Sequence, residues 1–256
     1  MNKKYQAPAA EKLLNIIELM AKNYRAYTVT ELASELDITV NSVFRIIKEL
    51  EARDYVEKDM DSMTYKLTGK LFYLGNLVGE NIGFRSVCAK YLNEIADITG
   101  ETTLLGILDN NFHTIIIDQV VSKQMLKFIS TVGGSYPTNT SVLGKAMLSA
   151  LPSKDLEHFF AIYDMQKPTK KSIVSIETMK KDIKAARERG YFIDDEESCI
   201  GIRCVGIPIV DFQHNLHGAI CISGPAYRIN DKVIKQSGRI LLRVSCEISQ
   251  KLGTKA

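Results

Sequence analysis

The sequence predicts an α+β protein of two domains: a small helical domain with a two-stranded wing, then a larger domain on a mostly antiparallel sheet flanked by helices. Three observations carry this. At 256 residues the chain is long for one domain and natural for two. Residues 28–56, "TVTELASELDITVNSVFRIIKELEARDYV", read as two short helices, a tight turn and the start of a strand. Beyond residue 100 the helical spacing gives way to short apolar runs separated by turn residues.

In the first domain, residues 9–23 carry Leu13, Leu14, Ile17, Leu19 and Met20 at near-helical spacing. Thr28 and Glu31 have the spacing of a capping box, which opens a short second helix. Asp37 and Ile38 form a turn. Thr39 then caps a third helix running to about Arg53, with Val43, Ile46, Ile47 and Leu50 on its inner face. "YVEKD" and "TYKLT" are two strands joined by "MDSM". This domain spans 8–70, and 71–85 forms a helical linker in which Gly75, Gly79 and Gly83 weaken the helix and suit a hinge.

The second domain spans 86–253. "ETTLLGIL" and "HTIIIDQVV" are strand-like and split by Asp109, Asn110 and Asn111. "MLKFISTV" reads as a further strand. "TSVLGKAMLSAL", 153–163 and 176–189 are helices. "GYFIDD", "CVGIPIVD" and "LHGAICISG" are strands, the last two joined by "FQHN", and 230–252 is a long closing helix.

Composition narrows the class. Hydrophobic residues make 45% and charged residues 25%, as in an ordinary soluble protein, and a net charge of +3 does not by itself demand nucleic acid. Cys88, Cys199, Cys204, Cys221 and Cys246 are odd in number and include no CxxC pair, so reduced thiols in a cytoplasmic protein are expected. The basic start "MNKKYQAPAAEKLLNIIELMAK" has its apolar stretch cut by Asn15 and Glu18 and is a poor signal peptide. No apolar run approaches the roughly 18 residues of a membrane span.

Residues 28–56 fit a helix-turn-helix. Ala33 supplies the small residue at the helix crossing and Asp37 stands where glycine is usual in the turn. Three helices followed by a hairpin make the winged-helix plan. The outer face of the third helix carries Asn41, Ser42, Arg45, Lys48 and Glu49. Asn and Arg form bidentate contacts with adenine and guanine edges in the major groove, and residues near the helix start reach deepest. Thr39, Asn41, Ser42 and Arg45 are therefore the base-reading candidates. Thr28 and Thr30 suit a phosphate, and Lys48, Lys58 and Lys66 complete the candidate DNA-binding set. Charge restrains this reading: residues 1–70 hold eleven Lys/Arg and eleven Asp/Glu, and "DMDSM" makes the wing tip acidic. Weak non-specific binding and a modest salt slope follow, with a dimer on two half-sites as the natural remedy.

From about residue 10 to 252 the chain resembles the IclR family of bacterial transcriptional regulators. The resemblance rests on "LLNIIELM", residues 28–56, "YKLTGKLFYLG", "TGETTLL", "GGSYPTNTSVLGKAMLSALP", "RERGYFIDDEESCIGIRCVGIPIVD" and "AICISGPAYRI". It implies a winged helix-turn-helix, a helical linker and a GAF-like effector-binding domain. It also implies a homodimer on operator DNA, often paired into a tetramer. The genes such regulators repress or activate serve catabolism of small organic acids, such as sugar acids, keto acids or aromatic acids. No cofactor is implied.

The same resemblance places an effector against the "LGKA" helix start and two late strands, at Val142, Leu143, Gly144, Asp194, Cys204, Cys221 and Ser223. Gly144 would let backbone N–H groups approach a carboxylate at a helix N-terminus. Val142 and Leu143 would form an apolar wall and Ser223 supply a hydroxyl. An ionised Asp194 would repel an acid unless it bonds a ligand hydroxyl or is protonated, so a hydroxylated acid suits it best. Cys221 stands where serine is common in the family, and a thiol is the poorer donor, which speaks against a glyoxylate- or pyruvate-like acid.

Three rival readings compete. Cys204 with His214 or His217 could form a thiol nucleophile and base, yet no orienting group or oxyanion motif accompanies them. Cys199, Cys204, Cys221, His214 and His217 match no common zinc spacing, so neither catalysis nor a metal is expected. The third is a winged-helix regulator whose second domain serves assembly without a ligand.

Overall fold

In a computed structural model the described residues are 7–80 and 83–253. The chain divides into two compact units after residue 81. The expected linker 71–85 includes residues 81 and 82, and the basic start includes 1–6; these lie outside the described residues.

The first unit holds α1 (Pro8–Asn23), α2 (Val29–Glu35), α3 (Val40–Ala52), β1 (Val56–Lys58), β2 (Tyr65–Leu67) and α4 (Lys70–Glu80). Its core is built from Ile16, Met20, Tyr27, Leu32, Val43, Ile47, Leu50, Val56 and Tyr65. On α1 the buried residues are Ile16 and Met20, while Leu14 is 53% exposed. "LLNIIELM" has more apolar residues than one stripe can bury, so spacing alone left its phase open. Asp37 takes a left-handed φ of 52°, and the Ile38 N–H closes the turn on Ala33 O at 3.0 Å. The wing pairs Val56 with Leu67 and Lys58 with Tyr65. Tyr27 bridges to Tyr65 through both backbone hydrogen bonds, fixing the entry to α2 against the wing.

The second unit holds α5 (Gly83–Thr99), β3 (Thr102–Leu108), β4 (Thr114–Val120), β5 (Ser135–Tyr136), α6 (Val142–Ala150), α7 (Ser153–Ile162), α8 (Ile176–Arg189), β6 (Phe192–Asp195), β7 (Ile202–Val210), β8 (Leu216–Pro225) and α9 (Asp231–Gly253). Six strands form one sheet in the order β5-β4-β3-β8-β7-β6, with every neighbouring pair antiparallel. Alternation along each strand feeds two cores. Leu105, Val205, Ile207, Ile220 and Ile222 pack with α5 and α9, whereas Leu104, Cys204, Ala219 and Cys221 pack with α6, α8 and Phe159 of α7.

One predicted strand is absent. Residues 125–132 run without ladder pairing, and Met125, Leu126, Ile129 and Val132 are exposed. The segment is held instead by a side chain: Gln119 Nε2 donates to Ser130 O at 2.7 Å and its Oε1 accepts the Ser130 N–H at 3.2 Å. The edge strand is the two-residue β5, which pairs with Thr114 and Ile115 of β4.

Candidate functional site

Two sites form, one in each unit. In the first, both helix starts are capped as their residue types require. Thr28 Oγ1 accepts the Glu31 N–H at 3.2 Å, and Glu31 Oε2 accepts the Thr28 N–H at 2.7 Å. That backbone bond, with help from Arg25, holds the Glu31 carboxyl down to about 2. The box thus occupies the Thr28 hydroxyl and sets a carboxylate at the helix start, while Thr30 remains exposed with its hydroxyl 3.1 Å from that of Thr28.

On α3, Thr39 Oγ1 accepts the Ser42 N–H at 3.4 Å and donates to Ser42 Oγ at 3.0 Å, which engages the Thr39 hydroxyl and leaves the Ser42 O–H to donate elsewhere. Asn41 and Arg45 are exposed and engage no partner among the described residues. Lys48 lies beside them but pairs with Glu51 at 2.6 Å. Lys66 pairs with Glu57 at 2.9 Å, and Lys58 sits over the Tyr65 ring at 5.8 Å. At the wing tip Asp59 Oδ1 accepts the Asp61 and Ser62 N–H groups, which holds its carboxyl below the usual range. Exposed Val40 and Phe44 belong to this surface too, and polar-residue reasoning passed over them.

The second site is a cavity of about 400 Å³ between the sheet and the start of α6. Val142, Leu143, Asp194, Cys204, Cys221 and Ser223 all line it. Register explains the convergence. Cys204 pairs with both Asp194 and Ser223, and Cys221 lies two residues from Ser223 on the same face of β8. Ser223 Oγ donates to Cys204 Sγ at 3.1 Å, and Cys221 Sγ is 3.6 Å from that hydroxyl. Leu104, Ile116, Phe128 and Tyr136 give the remaining apolar wall, and Lys167 is the exposed cation on the lining.

Gly144 follows Ser141, Val142 and Leu143 of the cavity lining but is not itself among the lining residues. Its N–H is taken by the cap Ser141 Oγ at 3.4 Å. A Cβ there would lie 2.5 Å from Thr138 O and 2.7 Å from Thr114 Oγ1, so the glycine lets α6 pack onto the loop before it.

Asp194 is buried, and burial raises its carboxyl above the usual range. Oδ1 accepts the Glu197 N–H and Oδ2 accepts Ser198 Oγ, both at 2.6 Å. Behind it, Lys145 Nζ reaches Glu197 Oε1 at 2.6 Å, Asp182 Oδ2 at 2.9 Å and Ile193 O at 2.9 Å. Sequence reasoning missed this triad, although a lysine inside the apolar run "VLGKAMLSAL" is the signal that could have flagged it. Burial pushes the Cys221 thiol up to about 12 and Cys204 well above its ordinary value, so both stay neutral. The hairpin holding His214 and His217 closes the far end of β7 and β8, about 20 Å of strand from Cys204. His217 there bonds Asp211 at 3.1 Å. Among the described residues no three His, Cys, Asp or Glu side chains come together as a metal site would need.

A winged helix-turn-helix joined in one chain to an α+β domain that holds a cavity defines a class, the two-domain DNA-binding regulator. Comparisons with known proteins carry this further. Residues 9–60 match the IclR helix-turn-helix domain, and residues 77–250 match the bacterial transcriptional regulator IclR C-terminal domain. The chain belongs to the IclR family. It is 28% identical over 250 residues to the HTH-type transcriptional repressor AllR of Escherichia coli K12, covering 98% of this chain and 92% of that one. The Thermotoga maritima IclR structure superposes with a TM-score of 0.79 at 29% identity, covering 96% of this chain and 98% of the other. An IclR homologue from Microbacterium hydrocarbonoxydans, solved with 4-hydroxybenzoate, shares the fold with a TM-score of 0.81 at 15% identity, over 95% of this chain and 98% of its own. These relatives are transcriptional regulators, not enzymes, and no helix among the described residues is long and apolar enough to cross a membrane.

Proposed function

We propose that this regulator binds double-stranded operator DNA as a homodimer in the cytoplasm, and that a small hydroxylated organic acid in the second-unit cavity modulates that binding. Asn41 and Arg45 read base edges from α3. Thr30, Thr39, Ser42 and the lysines 48, 58 and 66 settle the helix and wing against the backbone. Exposed apolar residues on α4, Phe72, Tyr73 and Val78, favour pairing of two copies.

One observation supports the ligand reading above all. A buried carboxyl, a hydroxyl and two thiols converge on one wall of a cavity that Leu104, Ile116, Phe128, Val142 and Leu143 also line. These groups also bond one another and the braced turn, but that leaves the cavity they face unexplained, and a domain serving assembly alone has no use for it. The cavity is far larger than a two- or three-carbon acid needs, so the apolar wall favours a larger body. Asp194 then bonds the ligand hydroxyl, and Lys167 faces its carboxylate. 4-Hydroxybenzoate, bound by the Microbacterium homologue, has this chemistry and is a first compound to test.

The test is a mobility shift on the regulator's own promoter with a panel of hydroxylated and plain acids, paired with thermal shift. A ligand that binds the folded form raises the melting temperature, and the expected hits also change promoter retention. Promoter binding with no response to any acid would favour the assembly reading.

A further inference from the structure

Val40 and Phe44 stand one turn apart on α3 and are 51% and 47% exposed. The helix buries Val43, Ile47 and Leu50, and the core of this unit closes without the other two. Phe44 contacts no other aromatic ring among the described residues; Lys48 Nζ lies 5.9 Å from its ring centroid. Both side chains border Asn41 and Arg45 on the exposed surface, so this apolar step continues the base-reading face. Val40 is the first residue of α3, at the depth where a recognition helix meets base edges. The major groove offers one apolar group, the thymine C5-methyl, which is read by contact with side chains such as phenylalanine.

We propose that Val40 and Phe44 read thymine C5-methyl groups, so that each operator half-site carries thymine beside the base pairs contacted by Asn41 and Arg45. This rests on the DNA-binding reading of α3. A protein surface is the competing cover, but the asparagine, arginine and lysine interleaved with these two residues match base edges and phosphate better than an apolar partner face.

Deoxyuridine in place of thymine removes only the methyl. The full-length protein is titrated by fluorescence anisotropy against its promoter fragment with thymine, then with deoxyuridine at single positions. Wild type is expected to lose about fourfold in affinity for each methyl contacted. Phe44→Ala and Val40→Ser, both at exposed positions, should bind the thymine fragment more weakly and lose that discrimination. Arg45→Ala should weaken binding yet keep it. Wild-type binding that is indifferent to deoxyuridine at every position overturns the proposal and leaves DNA binding intact. Discrimination that persists in both apolar variants, or an effect of Phe44→Ala on subunit association alone, overturns it as well. Failure of wild type to retain its promoter over competitor DNA overturns both readings.

Discussion

Lys145 Nζ, shut off from solvent, lies 2.6 Å from Glu197 Oε1. The backbone N–H of Glu197 in turn bonds Asp194 Oδ1. A salt bridge from α6 thus braces the turn that presents the cavity's carboxyl, with Asp182 of α8 as its second anion. Thr169 and Ser172 tie the preceding loop to the same turn through Glu196 O and Glu197 O. Net charge in this cluster is unbalanced, because the single lysine faces Asp182, Asp194 and Glu197. Glu197 Oε2 has no hydrogen-bond partner among the described residues.

That imbalance has a pH signature. Burial, then Asp194 and Asp182, push the Glu197 carboxyl from 4.5 up to about 7 against the pull of Lys145. The folded state therefore holds a proton that the unfolded state has already lost, and stability falls as pH rises between about 4.5 and 7. Asp194, also raised, adds to the fall with the same sign. Lys145 contributes nothing here, since its raised value keeps it charged throughout. Glu31 and Asp211, held down to about 2, act with the opposite sign at lower pH. Urea unfolding of wild type should show a loss on the order of 1–3 kcal/mol from pH 5 to pH 8, reduced in Glu197→Gln. An unchanged slope in that variant would rule out Glu197 as its source.

Asp194 bonds the braced turn and also lines the cavity, so its replacement has to separate the two roles. Asp194→Asn keeps an acceptor for the Glu197 N–H but cannot present a carboxyl to the cavity. Loss of a hydrogen bond to such a group amounts to ~1.5–3 kcal/mol, or about 10–150-fold in effector affinity. Promoter binding without effector should stay within about twofold of wild type. Titration calorimetry with a responsive hydroxylated acid reads the first quantity and mobility shift the second. Equal affinity in variant and wild type would remove Asp194 from the ligand contacts.

Gly144→Ala separates a packing role for that glycine from a ligand contact. The new methyl meets Thr138 O and Thr114 Oγ1 at distances that require backbone movement. Overpacking of this kind destabilises by ~1–3 kcal/mol, and a denaturant melt should show it. A variant as stable as wild type but defective in effector binding would restore the contact role.

These sites were legible to different depths. The helix-turn-helix could be read from sequence because its signals are local: Thr28 and Thr39 as caps, Asp37 in the turn, Val43 and Ile47 at helical spacing. The strand expected at 125–132 failed for a non-local reason, since a β-branched run needs a partner and Gln119 supplied the pairing instead. Within the cavity, family likeness located Cys204, Cys221 and Ser223, but Leu104, Ile116, Phe128 and Tyr136 enter only through strand register and the path of that same segment. Lys145 and Glu197 lie 52 positions apart, beyond the reach of any spacing rule.

The base-reading face yields the last expectation. Asn41 and Arg45 are free of protein partners among the described residues, so their removal leaves the fold alone. Each bidentate contact supplies ~1–3 kcal/mol of discrimination. Arg45→Ala and Asn41→Ala should each weaken promoter binding about 5–150-fold while non-specific binding changes little. Lys48 and Lys66 are engaged with Glu51 and Glu57, and the first 70 residues are charge-balanced. Few phosphates are then neutralised, and the slope of log affinity against log salt stays shallow, at about −0.9 per phosphate contact. Anisotropy titrations across a salt series measure both quantities. A steep slope with sequence preference unchanged in the double variant would move recognition off α3 and onto backbone contacts.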